Sequence, residues 1–188
     1  MQPLSLQRMN RVAQETAVEH VGVGSDDLKD KTNAKANGSQ PQRESPAAST
    51  SWLDLEALAR VEVTSEDAAH PIESALLTIG ATGWRAQSPG EQTIRLLFEA
   101  PQRLRRIRLL FREDKEARTQ EFVLRWSPTA DGSSRDIVRQ QYHFSPSGAT
   151  EEFEEYRVEL KDVAALELTI IPNLSGGSYA SLAQLRLA

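Results

Sequence analysis

An all-β sandwich is the fold class this chain predicts, and three observations carry that expectation. Apolar residues recur at alternate positions in short segments from Val61 to Leu187, the period of a strand with one buried face. Clusters of Pro, Gly, Ser, Asp and Asn separate those segments as turns. Apolar residues at helical spacing are confined to short stretches, so hardly any helix is expected.

Residues 1–50 read as a separate, disordered or weakly helical tail. Leu4, Leu6, Met9, Val12 and Val18 line one side of a short helix ending near Glu19. From Gly22 to Ser51 the text is polar and small, with Val23 and Leu28 as its sizeable apolar side chains. Such a segment buries too little surface to offset its ordering entropy. The β-sandwich domain is expected over residues 51–188. One helical turn over Leu53, Leu55 and Leu58 leads into a strand at Val61 and Val63. Ser65 to Gly90, with two prolines and three glycines, reads as a long loop of the kind that is functional or heavily packed.

The most informative stretch follows, from Gly83–Trp84–Arg85 through Gln92 to Arg112. Ile94, Leu96 and Phe98 point inward; Ala100–Pro101–Gln102 breaks the run; Ile107, Leu109 and Phe111 form a second strand, with Arg106, Arg108 and Arg112 outward. Trp84 reads as core, since tryptophan is usually highly buried. Thr119 to Ser127 places Phe122, Leu124 and Trp126 inward. Val138, Tyr142 and Phe144 mark the next strand, Tyr156, Val158 and Leu160 another, and Leu166, Leu168 and Ile170 one more. After a loop from Pro172 to Ser178, closed by Tyr179, the chain finishes as a strand through Leu182, Leu185 and Leu187.

The totals exclude several functions. At 188 residues, 39% hydrophobic, there is material for one good-sized core. A net charge of −5 argues against nucleic acid, whose phosphates need clustered Lys and Arg. The chain has no cysteine, which removes disulfides, thiolate nucleophiles and thiolate metal sites. No apolar run approaches the ~20 residues that span a bilayer, and Gln7, Arg8, Asn10, Arg11 and Gln14 interrupt any signal-like start. No membrane association and a cytoplasmic location are the resulting expectations; the oligomeric state is left open.

The text from Gly80 through Phe111 (GATGWRAQSPGEQTIRLLFEAPQRLRRIRLLF) resembles the galactose-binding-like fold, specifically the discoidin (coagulation factor 5/8 type C) family. SYASLAQLRL at the end is similar to that family's final strand after a small-residue loop. WLDLEALARVEVTSED, HPIESALL and IVRQQYHFSP are similar to segments of small stand-alone bacterial proteins described as carbohydrate-binding. The resemblance covers about Trp52 to Ala188 and implies a jelly-roll β-sandwich that binds carbohydrate through loops at one end. It also implies no calcium here, because Ile79–Gly80 and Gln184 stand where calcium-holding members carry acidic residues, and Ca²⁺ selects oxygen ligands with carboxylates among them. No metal and no cofactor are expected.

Residue chemistry agrees with a non-catalytic protein. His20, His70 and His143 are the histidines, and His20 lies in the tail; there is no nucleophile elbow, no H-E-x-x-H and no phosphate-cradling P-loop. Glu151–Glu152 and Glu154–Glu155 read as a solvated face rather than a glycosidase pair. Carried by the resemblance, the ligand-binding candidates are His70, Glu73, Arg85, Asn173 and Tyr179. Tyr179 would stack on a sugar face, Arg85 and Asn173 would bond hydroxyls, and Glu73 would accept from them. The alternative function is a protein-interaction or assembly domain that uses outward arginines, namely Arg95, Arg106, Arg108, Arg112 and Arg125 with Arg139 nearby. Against it, Glu99, Glu121, Glu159 and Glu167 are placed to pair with those arginines across strands.

Overall fold

The computed structural model describes residues 51–77 and 82–188; the expected tail with its short helix, and Ile79–Gly80, lie outside the described residues. In chain order the elements are α1 (Leu55–Leu58), β1 (Ala59–Val63), α2 (Glu73–Leu76), β2 (Trp84–Pro89), β3 (Gln92–Arg112), β4 (Arg118–Ser127), β5 (Arg135–Phe144), β6 (Glu151–Ile171), β7 (Tyr179–Leu182) and β8 (Gln184–Leu187). The short turn α1 forms as the spacing predicts: the Asp54 side chain accepts from Ala57 N–H, satisfying an otherwise unpaired donor. Leu55 is its buried residue.

Two strands of 21 residues organise everything else. β3 and β6 run antiparallel along their whole length, but their pairing lapses between Leu97 and Gln102 and shifts again on to Arg106. Neither is the pair of separate strands that the sequence suggests. Pro101 sits where the ladder is already interrupted, so its missing N–H leaves no partner unsatisfied. On β6 the bend falls at Asp162, in the left-handed region at φ 56°, which aspartate tolerates better than most residues. Burial on β3 changes parity across the bend, from Ile94, Leu96 and Phe98 to Ile107, Leu109 and Phe111.

The bend turns one ladder into two facing layers. The first half of β3 pairs with β1, the second half of β6 with β4, and β4 with β5. The other halves of β3 and β6 pair with each other, and β3 takes β8 on its free edge. Phe111, from the second layer, stacks on Phe122 of the first at 5.3 Å between centroids, and both belong to one core with Ile94, Leu109, Leu124, Leu168 and Leu185. Offset aromatic contacts of this kind add to the area they bury.

β2 and β7 form a separate two-stranded ribbon, joined to the second layer by Ala183 N–H donating to Leu110 carbonyl at 2.8 Å. The long loop expected from Ser65 to Gly90 thus contains α2 and β2. Trp84 on β2 is 1% exposed and a core residue, as the sequence suggests. Gly83 before it has φ 77°, and a Cβ there would lie 2.7 Å from the Leu182 carbonyl oxygen. Only glycine fits so close an approach at that backbone angle.

A polar cleft at the β2–β7 ribbon

Four segments converge beside the ribbon. The turn 67–70 is held to β2 by Asp67 N–H donating to Arg85 carbonyl at 2.9 Å and Arg85 N–H donating to His70 carbonyl at 3.1 Å. The loop before β7 is tied to the start of β4, with Leu174 N–H on the Thr119 carbonyl at 2.9 Å. Glu113 N–H donates to the Thr150 carbonyl, also at 2.9 Å. Together they enclose a cleft of ≈ 530 Å³ lined by His70, Arg85, Glu113, Arg118, Ser178 and Tyr179, among others.

Arg118 forms its floor. It begins β4 on the same side as Phe122 and Leu124, and its side chain is 1% exposed. Nη1 donates to the Tyr179 carbonyl at 2.9 Å, and Nη2 lies 3.1 Å from Glu113 Oε2 and donates to Gln120 Oε1 at 3.3 Å. Burial pushes the guanidinium pKa down; the charges of Glu113 and Glu116 oppose that shift. Its Nε has no hydrogen-bond partner. A buried cation is tolerated when paired and hydrogen-bonded in this way.

The carboxylates are equally committed. Glu113 Oε1 accepts from the N–H groups of Lys115 and Glu116, at 2.8 and 3.1 Å. Both Glu116 oxygens receive the Ser178 hydroxyl, at 3.0 and 2.9 Å. Glu151 pairs with Arg112 at 2.7 Å. On the opposite lip Tyr179 is 40% exposed, with the Arg85 guanidinium carbon 5.4 Å from its ring centroid, a cation–π distance. His70 Nδ1 lies 3.4 Å from Asp67 Oδ2. Asp67 has its pKa lowered, first by the Ala69 N–H it accepts and then by His70 and Arg85.

Of the five candidates, then, His70, Arg85 and Tyr179 line one cleft. Glu73 does not: it opens α2, exposed, away from the lining. Asn173 does not line it either; its Oδ1 accepts from Ser175 N–H at 3.0 Å and its Nδ2 donates to Ser178 Oγ at 3.2 Å. It shapes the loop that presents Ser178. Arg118, Glu113, Glu116 and Ser178 were not among the candidates.

The outward arginines do not share a face. Arg95 and Arg125 lie in the first layer, in a row of register partners running Glu62, Arg95, Glu167, Arg125, Asp136 across five strands. Arg125 reaches Asp136 at 2.8 Å and Glu167 at 3.5 Å, and Arg139 pairs with the buried Glu121. Arg106, Arg108 and Arg112 belong to the second layer. There Arg108 pairs with Glu155 at 2.7 Å, and the Trp52 ring lies 4.0 Å from the Arg106 guanidinium and 4.6 Å from that of Arg108. Glu159 takes Arg103, while Glu99 is exposed. The acidic run at the start of β6 divides by parity: Glu151 and Glu155 face the arginines, whereas Glu152 and Glu154 are half-buried on the other side.

Among the described residues no group of three His, Asp or Glu side chains gathers as a metal site, and no helix is long and apolar enough to cross a membrane. No protein-family model matches the chain, and no curated protein sequence matches it. Solved structures do. The family 32 CBM from C. perfringens NanJ, in complex with galactose, is similar with a TM-score of 0.55 and 12% identity over 72% of this chain and 96% of that one. CpGH89CBM32-5 from Clostridium perfringens, in complex with GalNAc-β-1,3-galactose, matches with a TM-score of 0.57 and 16% identity over 73% and 99%. The CBM32 of AlyQ, in complex with 4,5-unsaturated mannuronic acid, gives 0.51 and 17% over 70% and 95%. The described domain therefore has the galactose-binding-like, discoidin-type β-sandwich fold.

Proposed function

We propose that the chain is a non-catalytic binding module that takes a saccharide in the cleft beside Tyr179. The observation that carries this reading is the pairing of a half-exposed aromatic ring with a wall of fixed donors and acceptors across ≈ 530 Å³. A sugar presents an apolar C–H face and several hydroxyls, so it needs an aromatic surface and polar groups that are already oriented. Tyr179 supplies the surface. His70, Arg85 and Ser178 supply polar edges, and Glu113 and Glu116 supply carboxylate oxygens held by backbone and hydroxyl donors. The galactose, GalNAc-galactose and mannuronic acid bound to structures of the same fold support the ligand class by analogy of fold.

A binding role suits these carboxylates better than catalysis. A glycosidase needs one carboxyl with a raised pKa opposite a second, whereas Glu113, Glu116 and Glu151 are each engaged by a cation or a donor. Glycan-array screening of the full chain, followed by calorimetric titration with galactose, N-acetylgalactosamine and galacturonic acid, tests the reading. Binding that Tyr179→Ala weakens at least ~10-fold, about 1.4 kcal/mol, supports it. A folded chain that binds no saccharide overturns it.

A further inference from the structure

We infer that the saccharide received by this cleft carries a carboxylate, as a uronic acid does, and that Arg85 is the group that selects it. This rests on the saccharide-binding reading above and names its ligand class.

The charged groups of the lining balance in number and differ in which of them have partners. Arg85, Arg112, Lys115 and Arg118 stand against Glu113, Asp114, Glu116 and Glu151. Arg118 is taken by Glu113, Arg112 by Glu151, and Glu116 by the Ser178 hydroxyl. Arg85 and Lys115 remain on the cationic side and Asp114 and Glu116 on the anionic side, since a neutral hydroxyl does not cancel the Glu116 charge; of the two cations Arg85 is the one beside the Tyr179 ring. Arg85 is exposed on β2, between the buried Trp84 and Ala86. Among the described residues its guanidinium makes no hydrogen bond and no ion pair; its contact is the Tyr179 ring at 5.4 Å. Asp67, whose pKa the Arg85 charge helps to lower, is already engaged with Ala69 N–H and His70.

The Arg85 guanidinium over the Tyr179 ring is held in orientation while its N–H donors stay open. That fork matches a planar carboxylate with two parallel N–H···O bonds, which a hydroxyl cannot reproduce. The same ring meets the sugar's C–H face, so one side chain fixes both the ring of the ligand and the cation for its acidic group. Arg85 is anchored through its own backbone to His70 and Asp67, which sets the fork relative to Tyr179.

Titration of the full chain with galacturonic acid, its methyl ester and galactose decides the matter. The acid is expected to bind about tenfold more tightly than either neutral sugar, the gain from charging one partner of a hydrogen-bonded pair. Arg85→Lys keeps the charge and loses the fork, so the ratio of acid to galactose affinity falls towards one; Arg85→Ala removes it entirely. Equal affinity for the acid and its ester, or a ratio that survives in Arg85→Ala, overturns the inference while leaving saccharide binding in place. Absence of binding to all of the sugars, with the fold intact by circular dichroism, instead overturns the saccharide reading itself.

Discussion

The Arg118 guanidinium donates through Nη1 to the main-chain carbonyl of Tyr179, 2.9 Å away and 61 residues later in the chain. The exposed ring on the cleft lip is thus fastened by its backbone to a cation buried beneath it, which also holds Glu113 on the opposite wall. Arg118→Met therefore affects stability and binding together. It leaves Glu113 without its cation and the Tyr179 carbonyl without its donor, at a cost of about 3 kcal/mol. Glu113→Gln keeps a side-chain oxygen for the N–H groups of Lys115 and Glu116 and costs less. In the double variant Arg118→Met/Glu113→Gln the two losses are sub-additive, because the stranded charge is gone; chemical denaturation of all four proteins measures the coupling.

The ribbon that carries both Arg85 and Tyr179 depends on the contact between Gly83 and Leu182. Gly83→Ala forces a Cβ to within 2.7 Å of the Leu182 carbonyl oxygen at φ 77°, a combination of strain and clash worth at least ~1–3 kcal/mol. Trp84→Ala empties a fully buried site and costs ~3–5 kcal/mol. Thermal unfolding separates the core role of these residues from binding: if Trp84→Ala melts like the parent and only ligand affinity falls, the core assignment is wrong.

How much of this was legible in the sequence follows from how local each determinant is. Alternation gave Ile94, Leu96 and Phe98, or Phe122 and Leu124, their inward faces, because a strand's parity is written in adjacent residues. The continuity of β3 through Pro101 was not visible, since it depends on β6 bending at the same point. Arg118 and Gln120 have the parity of Phe122, so alternation alone places them inward. Their charge and polarity argue the other way until Glu113 and the Tyr179 carbonyl are seen to meet them. The nearness of Arg85 and Tyr179 comes from the β2–β7 register, in which Arg85 faces Ser181, and that of His70 from its carbonyl accepting the Arg85 N–H; no local pattern encodes either pairing.

The charge row on the first layer makes a prediction of modest size. Glu167 lies between Arg95 and Arg125 as a register partner of both, and Arg125 divides itself between Glu167 and Asp136. Glu167→Gln leaves Arg125 with Asp136 alone, so the loss is about 0.5–1 kcal/mol at low salt and shrinks as ionic strength rises. Denaturant midpoints at two salt concentrations read it; a loss that grows with salt would contradict an electrostatic origin.

Glu152 supplies the pH dependence. It is half-buried on the inner side of β6, and burial, followed by the charge of and a hydrogen bond with Glu154, raises its pKa above the ordinary 4.5. Glu154 itself accepts the Tyr156 hydroxyl at 2.7 Å, which keeps it beside its neighbour. The fold therefore favours the protonated Glu152 more than the unfolded chain does. The stability this contributes is fully present below pH 4.5 and is lost as pH rises through the folded-state value. At neutral pH the ionised side chain opposes folding, and Glu152→Gln, neutral at every pH, removes that opposition. The variant is expected to be more stable than the parent at pH 7, by less than about 1 kcal/mol because solvent screens a partly covered group. The difference should close as pH is lowered below 4.5. Denaturant midpoints of both proteins from pH 3.5 to 8 check the sign, and a parent that is the more stable of the two at pH 7 would show that the Glu152 carboxylate is stabilised rather than disfavoured by its surroundings.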